Sequence, residues 1–183
     1  NPCYSLEGSV FIGGAVIQWL RDGINIIKDA NETESISHAI TSNEGVYIVP
    51  AFTGLGTPYW DMEARGLISG ITRGTNRSHI IRASLESIAF QVHDVIKTIN
   101  KDVNIKIKTI KVDGGATSNN FLMQFQSDII QKNIERPNNI ESTALGAGML
   151  AGLGVGLWNN ANDLLKNRKN NKVFRPKVSN KKR

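Results

Sequence analysis

Between Lys111 and Asn120 the sequence passes from a strand ending through a glycine turn into a helix start, with no spacer between them. The β-branched run Ile105, Ile107, Ile110 and Val112 predicts the strand, and Asp113-Gly114-Gly115-Ala116 stops it abruptly. Ser118 or Asn119 then has the side-chain oxygen needed to cap a helix that buries Phe121, Leu122, Phe125 and Ile129. Such a junction constrains a fold strongly. Glycines without Cβ let a flat ring approach the backbone, while the free N–H groups of the helix start favour polar or anionic atoms. Asn119 adds an amide that both donates and accepts, as the edge of a purine requires. Spacing alone serves a tight turn with a capping Asn equally well.

Other segments predict further strands and helices in alternation. Val10, Ala15, Val16, Trp19 and Leu20 recur at helical spacing, with Gly13-Gly14 near the start of this helix and Asp22-Gly23 interrupting it. Helical material around Ser35 to Ile40 leads to a buried strand, Val46 to Val49, which Pro50 closes. From Phe52 to Arg65 there are too many breakers for a regular element, and Tyr59 and Trp60 predict a packed, ordered loop. Gly66 to Thr72 reads as a strand. Ser78 is placed to cap a long helix whose apolar stripe is Leu85, Ile88, Ala89, Val92, Ile96 and Ile99. A strand near Ile134 ended by Pro137 and an Ala/Gly-rich helix from Thr143 to Leu153 complete an α/β layered pattern.

The charge distribution narrows the function. Nine of the 22 basic residues lie from Lys166 onward, where no acidic residue occurs, which leaves 13 basic against 16 acidic residues before it. The net charge of +6 therefore belongs to a basic tail, residues 166–183, expected to be a solvated terminal segment. It is no argument for nucleic-acid binding as the main function. No apolar run approaches the roughly 20 residues of a membrane span. Cys3 has no second cysteine to pair with, and His38, His79 and His93 show no metal-finger spacing, so a reducing cytoplasm is expected and a structural metal is not. The start at Asn1-Pro2-Cys3 shows neither an initiator Met nor a signal pattern, as expected of a piece of something longer.

Two further glycine clusters compete with the junction at Gly115. Gly13-Gly14-Ala15-Val16-Ile17-Gln18 puts small residues before a helix, with Gln18 one turn after Gly14, and helix-packing glycines are the plainer reading. Gly146-Ala147-Gly148-Met149-Leu150-Ala151 matches a dinucleotide pattern literally, but Glu141 to Ala144 reads as the beginning of its own helix. Close packing of Gly148 and Gly152 explains it better. Among the acid–base candidates Asp61, Glu63, Glu86, Asp113 and the histidines, no pair has a catalytic spacing, and no Walker-type loop occurs.

Taken together, several segments resemble one family. Gly66-Leu-Ile-Ser-Gly70-Ile71, then seven residues, then His79-Ile-Ile-Arg-Ala83-Ser-Leu-Glu86 is similar to the signature of the FGGY carbohydrate kinases. Pro50 to Asp61, Asn120 to Asp128, Tyr4 to Glu7 and Ile17 to Arg21 resemble its glycerol-phosphorylating branch, and the similarity runs from about Tyr4 to Pro176. The resemblance implies a C-terminal, ribonuclease H-like α/β domain of the actin-like and hexokinase-like ATPase superfamily, here spanning residues 4–165 and lacking its first strands. It implies transfer of the γ-phosphate of ATP, with Mg²⁺, to glycerol, in a cytoplasmic enzyme that assembles as a homodimer or tetramer. Gly14, Gln18, Gly115 and Asn119 match the family's nucleotide contacts, with Asp113 and Gly114 shaping the turn and Ala116 keeping it open.

By the same resemblance, the catalytic aspartate, the glycerol-binding residues and the phosphate loops are expected upstream, in an N-terminal domain and in the first part of this one. Phosphoryl transfer depends on positioning and charge stabilisation, so this segment alone is expected to be inactive. The competing expectations are a kinase for another polyol or sugar, because the substrate-choosing residues are not here, and a non-catalytic nucleotide-binding module.

Overall fold

The computed structural model describes residues 5–103, 107–166 and 172–178. Cys3, Tyr4, Ile105 and the basic residues within 167–171 and 179–183 lie outside them. A short helix α1 (Ala15–Gln18) continues into a wider π-type turn (Trp19–Gly23), and α2 (Glu32–His38) follows. Strands β1 (Tyr47–Val49) and β2 (Leu67–Ser69) form an antiparallel pair in which Ile48 faces Ile68. The long helix α3 (Arg77–Val103) leads to β3 (Thr109–Lys111), a 3₁₀ turn (Gly115–Ser118), α4 (Asn120–Ile130) and β4 (Asn133–Arg136). Helices α5 (Ser142–Gly154) and α6 (Ala161–Lys166) precede β5 (Lys172–Phe174). The larger sheet runs β3-β4-β5, with β3 parallel to β4 and β5 antiparallel to it. None of the helices is long and apolar enough to cross a membrane, among the described residues.

The core forms where α1, α3 and α4 meet the sheet. Val16 and Leu20 of the first helical segment, Ile81, Leu85 and Ala89 of α3, Leu122 of α4 and Ile134 of β4 are all but fully buried in one cluster. Phe174 of β5 joins them, opposite Ile134 in the ladder. Within the range 166–183, read from sequence as a solvated tail, Lys172–Phe174 is thus paired backbone carrying a core side chain. Phe174 is buried while Val173, on the opposite face, is exposed, and Lys172, two residues back on the face of Phe174, keeps its amine over the Phe174 ring (5.0 Å).

Four other expectations are corrected. Ser78 lies inside α3, and the cap is Asn76, whose Oδ1 accepts the Ser78 N–H (2.9 Å) while its own N–H donates to His79 Nδ1 (3.2 Å). The strand around Val46 to Val49 is buried on one face only: Ile48 packs toward Ala83, while Tyr47 and Val49 are exposed. Tyr59 and Trp60 are more than half exposed, at 56% and 59%. Their N–H groups both bond to the Gly56 carbonyl in a tight turn that tips the rings outward, and the Tyr59 hydroxyl reaches Asp94 (2.8 Å). In α5, Gly152 does pack closely, since a Cβ there would meet the Trp158 ring, but Gly148 faces open space and Leu150 is exposed.

The connection between α2 and β1 is held to α3 by a largely buried ionic cluster. Arg82 Nε bonds to Glu86 Oε1 (2.7 Å), one helical turn on, and Arg82 Nη1 donates to the Ile40 carbonyl (2.5 Å) beyond the end of α2. Asn43 Nδ2 donates to Glu86 Oε2 (2.7 Å). Burial pushes the Glu86 pKa above the ordinary carboxylate value even with these partners beside it. Removing one member strands the other: Arg82→Ala is expected to destabilise the protein that carries this chain by ~3 kcal/mol, read as a lower urea midpoint. A midpoint equal to that of the unmodified protein would show the cluster to be dispensable.

Candidate nucleotide site

The glycine junction takes its shape from Gly114. Its φ of 86° lies in the left-handed region that glycine adopts without strain, and its N–H bonds to the Ile140 carbonyl (2.9 Å). The Gly114 carbonyl then accepts both the N–H (3.0 Å) and the hydroxyl (2.7 Å) of Thr117, which closes the 3₁₀ turn. From behind, Arg136 Nη1 donates to the carbonyls of Thr117 (2.5 Å) and Ser118 (2.9 Å), with its guanidinium over the Phe174 ring. The turn is therefore braced by β4 and β5, while its Gly115 side is open: a Cβ on Gly115 would meet nothing within 4 Å.

Gly14 stands opposite. It opens α1, its carbonyl accepting the N–H groups of Ile17 (3.0 Å) and Gln18 (3.3 Å), and an added Cβ would sit 3.7 Å from the Ala116 methyl. Two backbone entries, about a hundred residues apart in sequence, are thus in near contact. Between them lies a cavity of about 700 Å³ whose lining includes Gly14, Gln18, Gly115, Ala116 and Asn119. Its apolar surface comes from Ile17, Leu85, Ile88 and Leu122. All four residues singled out from sequence, Gly14, Gln18, Gly115 and Asn119, line this one cavity. Asp113 does not line it, and neither do Asp61, Glu63 or Glu86.

The third wall is α2 with the turn that leads into it, which sequence reasoning did not assign to the site. Ala30, Asn31, Thr33, Glu34, Ser35 and His38 all face the cavity. Its start is organised by Glu32, whose Oε1 accepts the N–H groups of Lys28 (2.9 Å) and Asp29 (3.0 Å). Asp29-x-x-Glu32 is the sequence signal that marks where this helix begins, three residues before the helical stretch read at Ser35. What attaches it to the junction is side-chain pairing with α4. Thr33 Oγ1 accepts from Asn119 Nδ2 (3.0 Å), and Glu34 accepts from the backbone N–H (2.7 Å) and Nδ2 (2.9 Å) of Asn120. Burial works against the charge of Glu34, but the Asn120 donors, with His38 and Lys172 nearby, prevail and hold its pKa below the ordinary value.

Asn119 serves the fold as well as the cavity. Its Oδ1 caps α4 by accepting the Leu122 N–H (2.9 Å), so one lone pair and one amide hydrogen are already committed within the protein. One of each remains. Among the described residues no group of three or more His, Cys, Asp or Glu stands together as a metal site.

An open cradle of backbone, an apolar floor and one amide edge suit a flat heterocycle that carries polar atoms on its rim. Comparison with known proteins gives the same direction. The chain is 55% identical over 180 residues to the glycerol kinase of Clostridium botulinum strain 657, covering 98% of this chain and 36% of that protein. It is 54% identical over 180 residues to the glycerol kinase of Alkaliphilus metalliredigens, again 98% of this chain and 36% of that protein. The chain thus spans about a third of the length of these relatives. Among solved structures, Plasmodium falciparum glycerol kinase with ADP superposes with a TM-score of 0.80 at 41% identity, covering 92% of this chain and 34% of that one. Ligand-bound xylulose kinase from Lactobacillus acidophilus gives 0.76 at 25% identity, covering 92% and 34%. These likenesses place the fold in the α/β, actin-like ATPase class, the class expected from sequence. Residues 1–155 match the model of the FGGY family of carbohydrate kinases, C-terminal domain, and the chain belongs to that family.

Proposed function

We propose that this chain is the nucleotide-facing part of an ATP-dependent glycerol kinase, an enzyme that makes sn-glycerol 3-phosphate, and that it supplies the adenosine-binding wall of the cleft. The observation that carries the reading is the shared cavity. A Cβ on Gly14 would lie 3.7 Å from the Ala116 methyl, and Gly14, Gln18, Gly115 and Asn119 all open onto the same space. In this proposal Gly115 gives the purine and ribose access to the backbone, Asn119 offers its free amide hydrogen and lone pair to the base, and Gln18 projects from α1 toward the nucleotide. A cavity without a cationic cradle takes the uncharged end of ATP and leaves the triphosphate to the cleft. Mg²⁺ comes with the triphosphate, held by groups that these residues do not supply.

Glycerol as the substrate rests on the similarity to proteins named glycerol kinase, at 55% and 54% identity, against 25% for the xylulose kinase. The glycerol-binding residues, the aspartate that accepts the hydroxyl proton and the first phosphate loop belong to other parts of the protein in this proposal, so this segment has no catalytic residue of its own. A homo-oligomer in the cytoplasm, where ATP is at hand, completes the proposal. A kinase for another sugar or polyol is the second reading, favoured by the structural match to xylulose and gluconate kinases of Lactobacillus acidophilus. Assay of the complete protein with glycerol, xylulose and gluconate separates the two. Turnover of glycerol is expected, and turnover of a sugar with none of glycerol would reverse the choice.

Two substitutions test the cavity in the complete protein. Asn119→Ala is expected to raise Kd for ATP about tenfold, the factor given by ~1.4 kcal/mol, with the KM for glycerol unchanged. An unaltered nucleotide affinity would remove Asn119 from the site. At Gly115, φ lies outside the left-handed region and a side chain meets open space. Gly115→Val is therefore expected to leave Tm within a degree or two while raising KM for ATP more than about tenfold, because its methyls occupy the cradle. A variant as active as the unmodified enzyme at low ATP would place the nucleotide elsewhere.

A further inference from the structure

We infer that Thr33 is a positioning residue that fixes the orientation of the Asn119 amide and thereby makes the site prefer a 6-amino purine over a 6-oxo purine. The inference rests on the nucleotide reading above and deepens it.

Thr33 is 1% exposed, at the beginning of α2, and its hydroxyl hydrogen is already committed. The Thr33 Oγ1 proton is donated to the Ala30 carbonyl (2.6 Å), so toward Asn119 the oxygen can act only as an acceptor. Asn119 answers with Nδ2 (3.0 Å). At its other end the amide meets the Leu122 N–H (2.9 Å), a group that can only donate. Both neighbours impose the same orientation: oxygen toward Leu122, nitrogen toward Thr33. A flipped amide would set NH₂ against the Leu122 N–H and its oxygen against an oxygen whose proton is engaged elsewhere. It would lose both bonds. The lone pair and hydrogen left over are therefore fixed in their order along the cavity wall.

That order matters because purines differ in it. Adenine carries an amino donor at position 6 beside a ring nitrogen acceptor, and hypoxanthine or guanine carries an acceptor oxygen at the same place. An amide free to turn over serves either, by exchanging oxygen and nitrogen. A locked amide serves the amino form and opposes the oxo form with a lone pair facing a lone pair. Specificity then arises from the buried hydroxyl behind the contact as much as from the contact itself. The Glu34–Asn120 pair, next along both helices, keeps α2 in register so that the hydroxyl stays in place.

The test is kcat/KM for ATP and for inosine triphosphate, measured on the complete enzyme with glycerol saturating. Thr33→Val removes the acceptor while keeping the volume, and the ATP-to-ITP ratio is expected to fall about fivefold, the factor set by one net hydrogen bond. Thr33→Ser, which retains the oxygen, is expected to keep the ratio. Thr33→Ala removes the same oxygen and serves if the Val variant does not fold. A ratio unchanged in Val or Ala, with KM rising equally for both nucleotides, would make Thr33 structural only and overturn the inference. So would an equal loss of the ratio in Ser. Asn119→Ala, run alongside, distinguishes the two levels. If it leaves ATP affinity unaltered, the nucleotide reading of the cavity has failed; if it weakens ATP while Thr33→Val leaves the ratio intact, only the positioning role has failed.

Discussion

A helix that starts in the interior must find acceptors for its first N–H groups, and in α4 that requirement decides where the cavity wall lies. Asn119 satisfies Leu122 from within the turn. The N–H of Asn120 has no local acceptor and is met by Glu34, 86 residues earlier in the chain. Each such bond adds only about 0.5–1.5 kcal/mol net, but leaving a buried donor unmade costs 1–3 kcal/mol. Helix α2 is thus drawn against the glycine junction, and the space between them becomes the cavity. Asn120 transmits the constraint further, since its Oδ1 accepts from Arg136 (3.2 Å) on the central strand β4 and from Lys172 (2.7 Å) on the edge strand β5. One residue joins helix, turn and sheet.

Elements fixed by neighbouring residues could be read from sequence, and those fixed by distant partners could not. Local signals carried well. The stop at Asp113-Gly114-Gly115, the Asn119 cap and the strand at Ile134 each depend on residues within a few positions, and each element stands where the spacing put it. Gly14 and Gly115 were separately ambiguous, because glycine before a helix serves packing as readily as binding. Their meeting is a tertiary fact, and the family resemblance supplied what periodicity could not. The role of α2 was not legible, because Thr33 and Glu34 sit among ordinary polar residues and matter only through partners in α4.

Failures of reading have equally specific causes. Burial propensity placed Tyr59 and Trp60 inside, yet the turn at Gly56 leaves the rings outside, with Tyr59 held by Asp94. Ser78 and Asn76 are both acceptable caps, and the choice fell to the residue that His79 can complement. The basic composition of 166–183 concealed a three-residue strand, because one Phe among many charges does not alter a compositional average. In the ladder that Phe lies opposite Ile134 and is only 6% exposed.

Electrostatics argue for which end of a nucleotide this cavity takes. Among the described residues, the one carboxylate on its wall, Glu34, is occupied by Asn120, and the one guanidinium, Arg21, is paired with Asp22 (2.7 Å) at the exposed rim. Neither sign of charge is left unopposed. A triphosphate brought into such a place would give up hydration without finding fixed positive groups in return, whereas a purine gives up little and gains an apolar floor. The cavity is therefore matched to recognition rather than to chemistry. On the proposed reading, selection of the base is settled here by backbone shape and a locked amide, and the charge of the reaction is managed across the cleft.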